Sequence, residues 1–133
     1  MSFLLDTNVL SFHLRDPVGL THRFIQHSGR LFTSSICLGE LFVWAHARSD
    51  RQGALAAIDR LLRCEVALLD YDRKSAEEFG RQRVDLRRQG IEVPTVDLMI
   101  ASVALTHDLT VVTHNTADFA KIPGLRLQEW LAR

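Results

Sequence analysis

Four acidic residues raise the question of chemistry: Asp6 in FLLDTNVLS, Glu40 in SSICLGELFVWA, Asp97 in PTVDLMIASVAL and Asp118 in VVTHNTADF. Taken singly, most have a plain structural explanation. Asp6 can cap the helix that begins at Thr7, a position that suits aspartate. Asp97 and Asp118 can sit in first helical turns, where the dipole favours a negative charge by about 0.3–1 kcal/mol. Glu40 is harder to explain. Its segment is apolar on nearly every side, which predicts burial, and a buried carboxylate needs a partner to offset its desolvation. Gly39 beside it is expected to let a backbone or ligand approach closely.

Taken together, the four acids suggest more than helix ends. Carboxylates gathered from separate segments repel one another and raise their own pKa values unless a cation sits among them. All-oxygen donors suit Mg²⁺ or Mn²⁺ rather than zinc. The six histidines do not fall at zinc-ligand spacings, and His114 reads as a surface or packing residue. A metal held by carboxylates, with positions open to water and a phosphate oxygen, is equipped for phosphodiester hydrolysis.

The elements that must position these acids can be read from apolar runs and punctuation. Leu4–Leu5 is a short buried strand and Thr7 to Leu14 a helix broken near Asp16-Pro17. Phe24 to His27 continues a second helix ended by Gly29, and Leu31–Thr33 is a brief strand. Ser34 and Ser35 offer caps for a helix over Ile36–Arg48, and another helix runs from Ala54 to Arg63. Val66–Leu69 is a strand, and Asp72 opens a long helix to about Gln89. Thr95 caps a helix over Val96–His107, and Thr116 caps a short one containing Asp118. The β-branched run from Thr110 to Thr113 is a strand. A last strand spans Leu125–Leu127, and a tail helix Glu129–Arg133.

Short apolar strands alternating with longer helices predict an α/β sandwich around a mostly parallel sheet. Sites in such sheets lie beyond the carboxyl ends of the strands. Asp6 directly follows the first strand, and Asn115 and Asp118 follow the Thr110–Thr113 strand.

Composition sets outer bounds. A chain of 133 residues with 47% hydrophobic content is expected to form one domain, 1–133, with a sizeable core. The 16 basic and 16 acidic side chains balance, so any nucleic acid must be held by a local basic patch rather than by overall charge. The helix bearing Arg81, Arg83, Arg87 and Arg88 is the best such patch, although Glu77, Glu78 and Asp85 interleave it. Cys37 and Cys64 read as buried reduced thiols. With no signal peptide and no apolar run long enough to span a membrane, the expected location is the cytoplasm.

In these motifs the sequence resembles the PIN-domain ribonucleases, and within them the VapC-type toxins of toxin–antitoxin pairs. The resemblance covers nearly the whole chain: LLDTNVLS, SSICLGELFVWA, PTVDLMIASVAL and VVTHNTADFAKIPGLRLQEW occur in this order. It implies a PIN-like three-layer sandwich, Mg²⁺ or Mn²⁺ dependence, and endonucleolytic cleavage of RNA, often tRNA or ribosomal RNA. It also implies a dimer and a small cognate VapB-like antitoxin. Carried over by motif, the metal-binding and catalytic acids are Asp6, Glu40 and Asp97. Many PIN domains place the fourth acid where this chain has Asn115, which makes Asp118 the fourth acid here. Asn115, Thr113 and Asn8 then act as supporting residues. On the residues alone, outside that carry-over, Arg81, Arg83 and Arg87 are candidate substrate contacts, with an ordinary solvated face as the alternative. Phe42, Val43 and Trp44 fit either a partner surface or core packing.

Two other readings remain open at this point. An aspartyl-phosphate phosphatase needs a second Asp two residues after the nucleophile, and that position holds Asn8. A catalytically degenerate PIN domain, serving as an RNA-binding or scaffold module, is kept in play by Asn115.

Overall fold

The computed structural model describes residues 1–131. The chain runs β1 (Phe3–Leu5), α1 (Thr7–Arg15), α2 (Pro17–Gln26), β2 (Leu31–Ser34), α3 (Ser35–His46) and α4 (Arg51–Cys64). It continues through β3 (Ala67–Leu69), α5 (Arg73–Arg88), α6 (Thr95–Thr106), β4 (Thr110–Val112), α7 (Thr116–Phe119) and β5 (Leu127–Gln128). The strands form one sheet in the order β3-β2-β1-β4-β5, with every pairing parallel.

The central position of β1 and β4 explains their composition. Both are buried along their whole length, as expected of parallel strands covered on both faces. Alternation then divides the core. Phe3 and Leu5 join an apolar cluster with α1, α2 and α4, whereas Leu4 and Val111 join a second cluster with α5, α6 and α7. Helix α3 contributes to both, through Leu41 and Ala45 on one side and Cys37 on the other. The result is the three-layer α/β sandwich predicted from the sequence.

The strand order also fixes where a site can form. From β1 the chain steps outward through β2 and β3 on one side; β4 and β5 lie on the other. The carboxyl ends of β1 and β4 therefore flank the point where the winding reverses, and a crevice opens there in sheets of this kind.

Several local expectations need correction. Helix α2 begins at Pro17, well before Phe24, because proline at the first helical position lacks only an N–H that has no partner there. Thr95 is the first residue of α6, not its cap; Pro94 holds the cap position, and the Thr95 hydroxyl accepts from Arg83 Nη2 at 3.1 Å. Thr116 likewise is the first residue of α7, with Asn115 at the cap. The last strand is displaced to Leu127–Gln128. Residues 129–131 are not helical, and the rest of the expected tail helix lies outside the described residues. Trp130 folds back onto Phe3 and His27, with ring centroids 5.5 Å from each. Cys37 is buried as expected, but Cys64, at the end of α4, is exposed.

Candidate active site

Asp6 leaves the end of β1 with its backbone N–H bonded to Val112 O at 2.9 Å, so β4 holds it in place. Its side chain is 5% exposed. One carboxylate oxygen accepts from Thr7 N at 2.8 Å and the other from Thr113 Oγ1 at 2.7 Å. Asp6 is thus the cap of α1, as the plain reading had it, and also a wall of the crevice. Burial pushes its carboxyl above the ordinary range, against the pull of the Thr113 and Thr7 hydrogen bonds, and the charge of Glu40 adds to the rise. Cys37 lies beneath, its thiol pushed up to about 12 by burial and then by Asp6. It therefore stays protonated and is no nucleophile.

Asp97 occupies the first turn of α6, a helix with six buried residues. Its carboxyl is pushed up to about 6, chiefly by burial and then by the charges of Asp6, Asp118 and Glu40. Asn115 opposes the shift: its Nδ2 donates to Asp97 Oδ2 at 3.0 Å and to Asp118 Oδ2 at 3.2 Å. One amide thereby holds two carboxylates side by side. Asn115 N–H in turn donates to Thr113 Oγ1 at 2.9 Å, which extends the network to Asp6. Asp118 also meets Lys121 Nζ at 3.3 Å.

Glu40 departs from expectation. Helix α3 buries only Cys37, Leu41 and Ala45, and Glu40 stands on its exposed side. The burial argument fails because an apolar helix need not be covered all round: Val43 is 72% exposed. Gly39 faces open space, so close approach does not explain it. Glu40 is nevertheless positioned. Thr7 Oγ1 donates to Glu40 Oε1 at 2.7 Å, while the Thr7 N–H holds Asp6. Thr7 thus joins two of the acids. The sequence reading missed it, although a hydroxyl immediately after the strand-end acid was a usable signal.

Asp6, Glu40, Asp97 and Asn115 line one groove of about 350 Å³, together with Thr7, Asn8, Ser11 and Trp44. Asp118 stands behind Asn115. Asn8 Oδ1 accepts from His114 N at 3.2 Å, which ties α1 to the segment after β4. His114 itself is exposed and pairs with Glu129 at 2.8 Å. Among the described residues, no three His, Cys, Asp or Glu side chains stand ready to enclose an ion as they are placed. The donors are nevertheless oxygen throughout, and two of the acids carry raised pKa values, one of them half-buried; both features suit a hard divalent cation.

Within the arginine patch, Arg83 is the clearest correction. Arg83 is 7% exposed, and its guanidinium donates to Val93 O at 2.8 Å and to Thr95 Oγ1. It ties α5 to the entry of α6 and is not available to a substrate. Arg81 is paired with Glu78 and Asp85, and Arg87 with Glu92, so both are exposed but partnered.

A parallel α/β sandwich with acids from β1, α3 and α6 meeting at the winding reversal defines a class. A family model described as PIN domain matches residues 3–125, and the chain belongs to that family. Within it, the chain groups with the VapC ribonucleases. It is 37% identical over 131 residues to the tRNA(fMet)-specific endonuclease VapC of Salmonella typhimurium, with 98% of each chain covered. It is 35% identical to the Shigella flexneri protein of the same name, with the same coverage. Among solved structures, it is similar to a DNA-bound VapBC from Salmonella typhimurium, with a TM-score of 0.89 at 35% identity and 98% of each chain covered. It also resembles VapBC2 from Rickettsia felis bound to a promoter DNA fragment, with a TM-score of 0.88 at 26% identity, covering 98% of this chain and 99% of that one.

Proposed function

We propose that this protein is a divalent-metal-dependent endoribonuclease of the VapC toxin type, with tRNA as its substrate class and a VapB-like antitoxin as its inhibitor. The observation that carries this reading is the groove. Asp6, Glu40 and Asp97 come from three separate elements, line one surface, and have no basic partner among the described residues. Mutual repulsion of this kind is a cost to the fold that a bound cation relieves.

Asp6, Glu40 and Asp97 would hold Mg²⁺ or Mn²⁺, with Asp118 presented through Asn115. When bound, such an ion supplies charge neutralisation at the phosphate and a more acidic water. The chain's own residues supply rigidity. Thr113 and Thr7 clamp both oxygens of Asp6, Thr7 also sets Glu40, and Asn115 fixes the spacing of Asp97 and Asp118. Supporting shells of this type commonly contribute about 10–100-fold in metal affinity or activity. The tRNA assignment rests on the names of the Salmonella and Shigella relatives. The antitoxin assignment rests on the VapBC complexes among the structural relatives.

The test is cleavage of total cellular RNA by the purified chain, free of antitoxin, in EDTA, Mg²⁺ or Mn²⁺. Asp6→Asn runs alongside. Discrete tRNA fragments that require both metal and Asp6 are expected. Discrete ribosomal RNA fragments would move the substrate class, and RNA bound but uncut by folded, metal-loaded protein would replace the nuclease by a binding module.

A further inference from the structure

The wall of the groove formed by α3 carries more than Glu40. Trp44 follows it by four residues and lines the same groove. Residues four apart share one helical face, about 6 Å along the axis. Four residues further, just past the helix end, the Arg48 guanidinium lies 4.9 Å from the Trp44 ring centroid. Arg48 is exposed and has no acidic partner among the described residues. Carboxylate, indole and guanidinium therefore follow one another along a single ridge leading out of the site.

We propose that Trp44, steadied by Arg48, is a stacking platform for an unpaired nucleobase of the RNA next to the phosphate held at the acids. The inference rests on the nuclease reading above and names a substrate contact in the groove itself, a role that the buried Arg83 does not fill. Part of the indole packs on the apolar cluster that includes Leu41 and Ala45, which fixes the ring's orientation. Its remaining surface faces a groove in which Trp44 is the one apolar residue among those that line it. Indole is the side chain best suited to bind a base through its π-face without reading its sequence, and a neighbouring arginine adds a cation for the backbone. A base inside a duplex has no free face, so the platform selects looped or single-stranded segments. In an acidic groove of a chain with zero formal net charge, a non-electrostatic handle adds to whatever the local arginines contribute.

The test uses the Asp6→Asn chain, which is expected to bind RNA without cutting it. The protein contains two tryptophans, and Trp44→Phe in the same background removes the signal of interest. Titration with a short single-stranded oligoadenylate is expected to quench the Trp44 fluorescence, whereas the same strand in a duplex with oligouridylate leaves it unchanged. In the active chain, Trp44→Leu is expected to raise KM for RNA about tenfold with kcat nearly kept, and Trp44→Phe to restore most of the loss. Thermal midpoints show that each variant is folded. Equal quenching by duplex and single strand, or Trp44→Leu cutting with unchanged KM, overturns the platform while leaving the nuclease intact. Quenching by single strands from a wild-type chain that cuts no RNA sinks the nuclease reading and keeps the platform.

Discussion

The two edges of the sheet treat charge in opposite ways. Beside the residues that lead into β1, β4 and β5 lies a hollow of about 590 Å³, larger than the acidic groove. There Asp108 meets Arg126 Nη1 at 2.9 Å, and the same guanidinium reaches Thr110 Oγ1 and Asp108 O. Its acid has a base. At the carboxyl edge, Asp6, Glu40 and Asp97 are met by hydroxyls, one backbone N–H and an amide. The larger hollow is therefore the one whose acid is neutralised. Unneutralised charge, rather than volume, distinguishes a site from a gap in packing.

The strongest way to break this comparison is to neutralise the acidic edge. Asp97→Asn is expected to cut RNA cleavage at least about a hundredfold. It is also expected to raise the thermal midpoint of the metal-free protein by about 2–5 °C, because the variant no longer gathers like charges. Asp6→Asn should lose cleavage to the same degree, with Thr113 Oγ1 turning to suit the amide. Calorimetry on metal-free protein, paired with the RNA cleavage assay, checks both. A lower midpoint for Asp97→Asn would show that the cluster is a stabilising network instead of a strained one.

The next largest effect separates structure from substrate contact on α5. Arg83→Ala leaves Val93 O and the Thr95 hydroxyl without their donor and removes the guanidinium from over the Phe79 ring. A loss of about 2–4 kcal/mol in urea unfolding is expected. Arg81→Ala should change stability by no more than about 0.5 kcal/mol, because its pairs with Glu78 and Asp85 are solvated. Should Arg83→Ala weaken RNA binding while leaving stability unchanged, the guanidinium would have to leave its buried position to meet a phosphate.

Arg83 also shows what the sequence hides. Patterning located the layers, because continuous apolar runs in β1 and β4 belong to the sheet in the middle, and the largely apolar run of α6 to a helix covered on most sides. Asp6 and Asp97 were legible for the same reason: each interrupts such a run at its end. Glu40 pointed to the site for a mistaken reason, since α3 is apolar yet partly uncovered. Arg81, Arg83 and Arg87 look alike in one dimension. Only packing against the Val93–Thr95 segment distinguishes the buried one, and that contact joins two elements whose docking no local pattern encodes. The role of Thr7 was hidden in the same way, because its partner Glu40 is distant in sequence.

A smaller effect follows from the direction of titration. The Asp97 carboxyl, raised to about 6 in the folded protein from 3.8, keeps its proton where the unfolded chain has lost it. The folded state then binds more protons, so stability falls as pH rises between those values. Asp6 is raised in the same sense. After allowance for solvent screening of the half-exposed Asp97, metal-free protein is expected to lose on the order of 1 kcal/mol over this window. Asp72 is lowered by its bond from Ser75 N, and its contribution disappears only below 3.8, outside the window. Urea titrations at successive pH values measure the slope. His27, lowered from 6.5 chiefly by burial, adds a rise just below that value, so the slope is compared with that of Asp97→Asn. Mn²⁺ should flatten the parent's slope, and an Asp97→Asn slope equal to the parent's would contradict the repulsion assigned to the groove.

The smallest effect gives the comparison its sign. Asp108 has a positive φ of 55°, a conformation that asparagine adopts at least as readily as aspartate. Asp108→Asn therefore removes charge without adding backbone strain, just as Asp97→Asn does at the other edge. Here the lost charge was paired with Arg126 on an exposed surface, so stability should fall by about 0.5 kcal/mol or less, with cleavage unchanged. The same chemical substitution is then stabilising where acids face acids and slightly destabilising where an acid faces a base. Metal-free stabilities of the two variants, measured in one buffer at neutral pH, test that reversal. If both moved in the same direction, the distinction between the two edges would rest on shape alone.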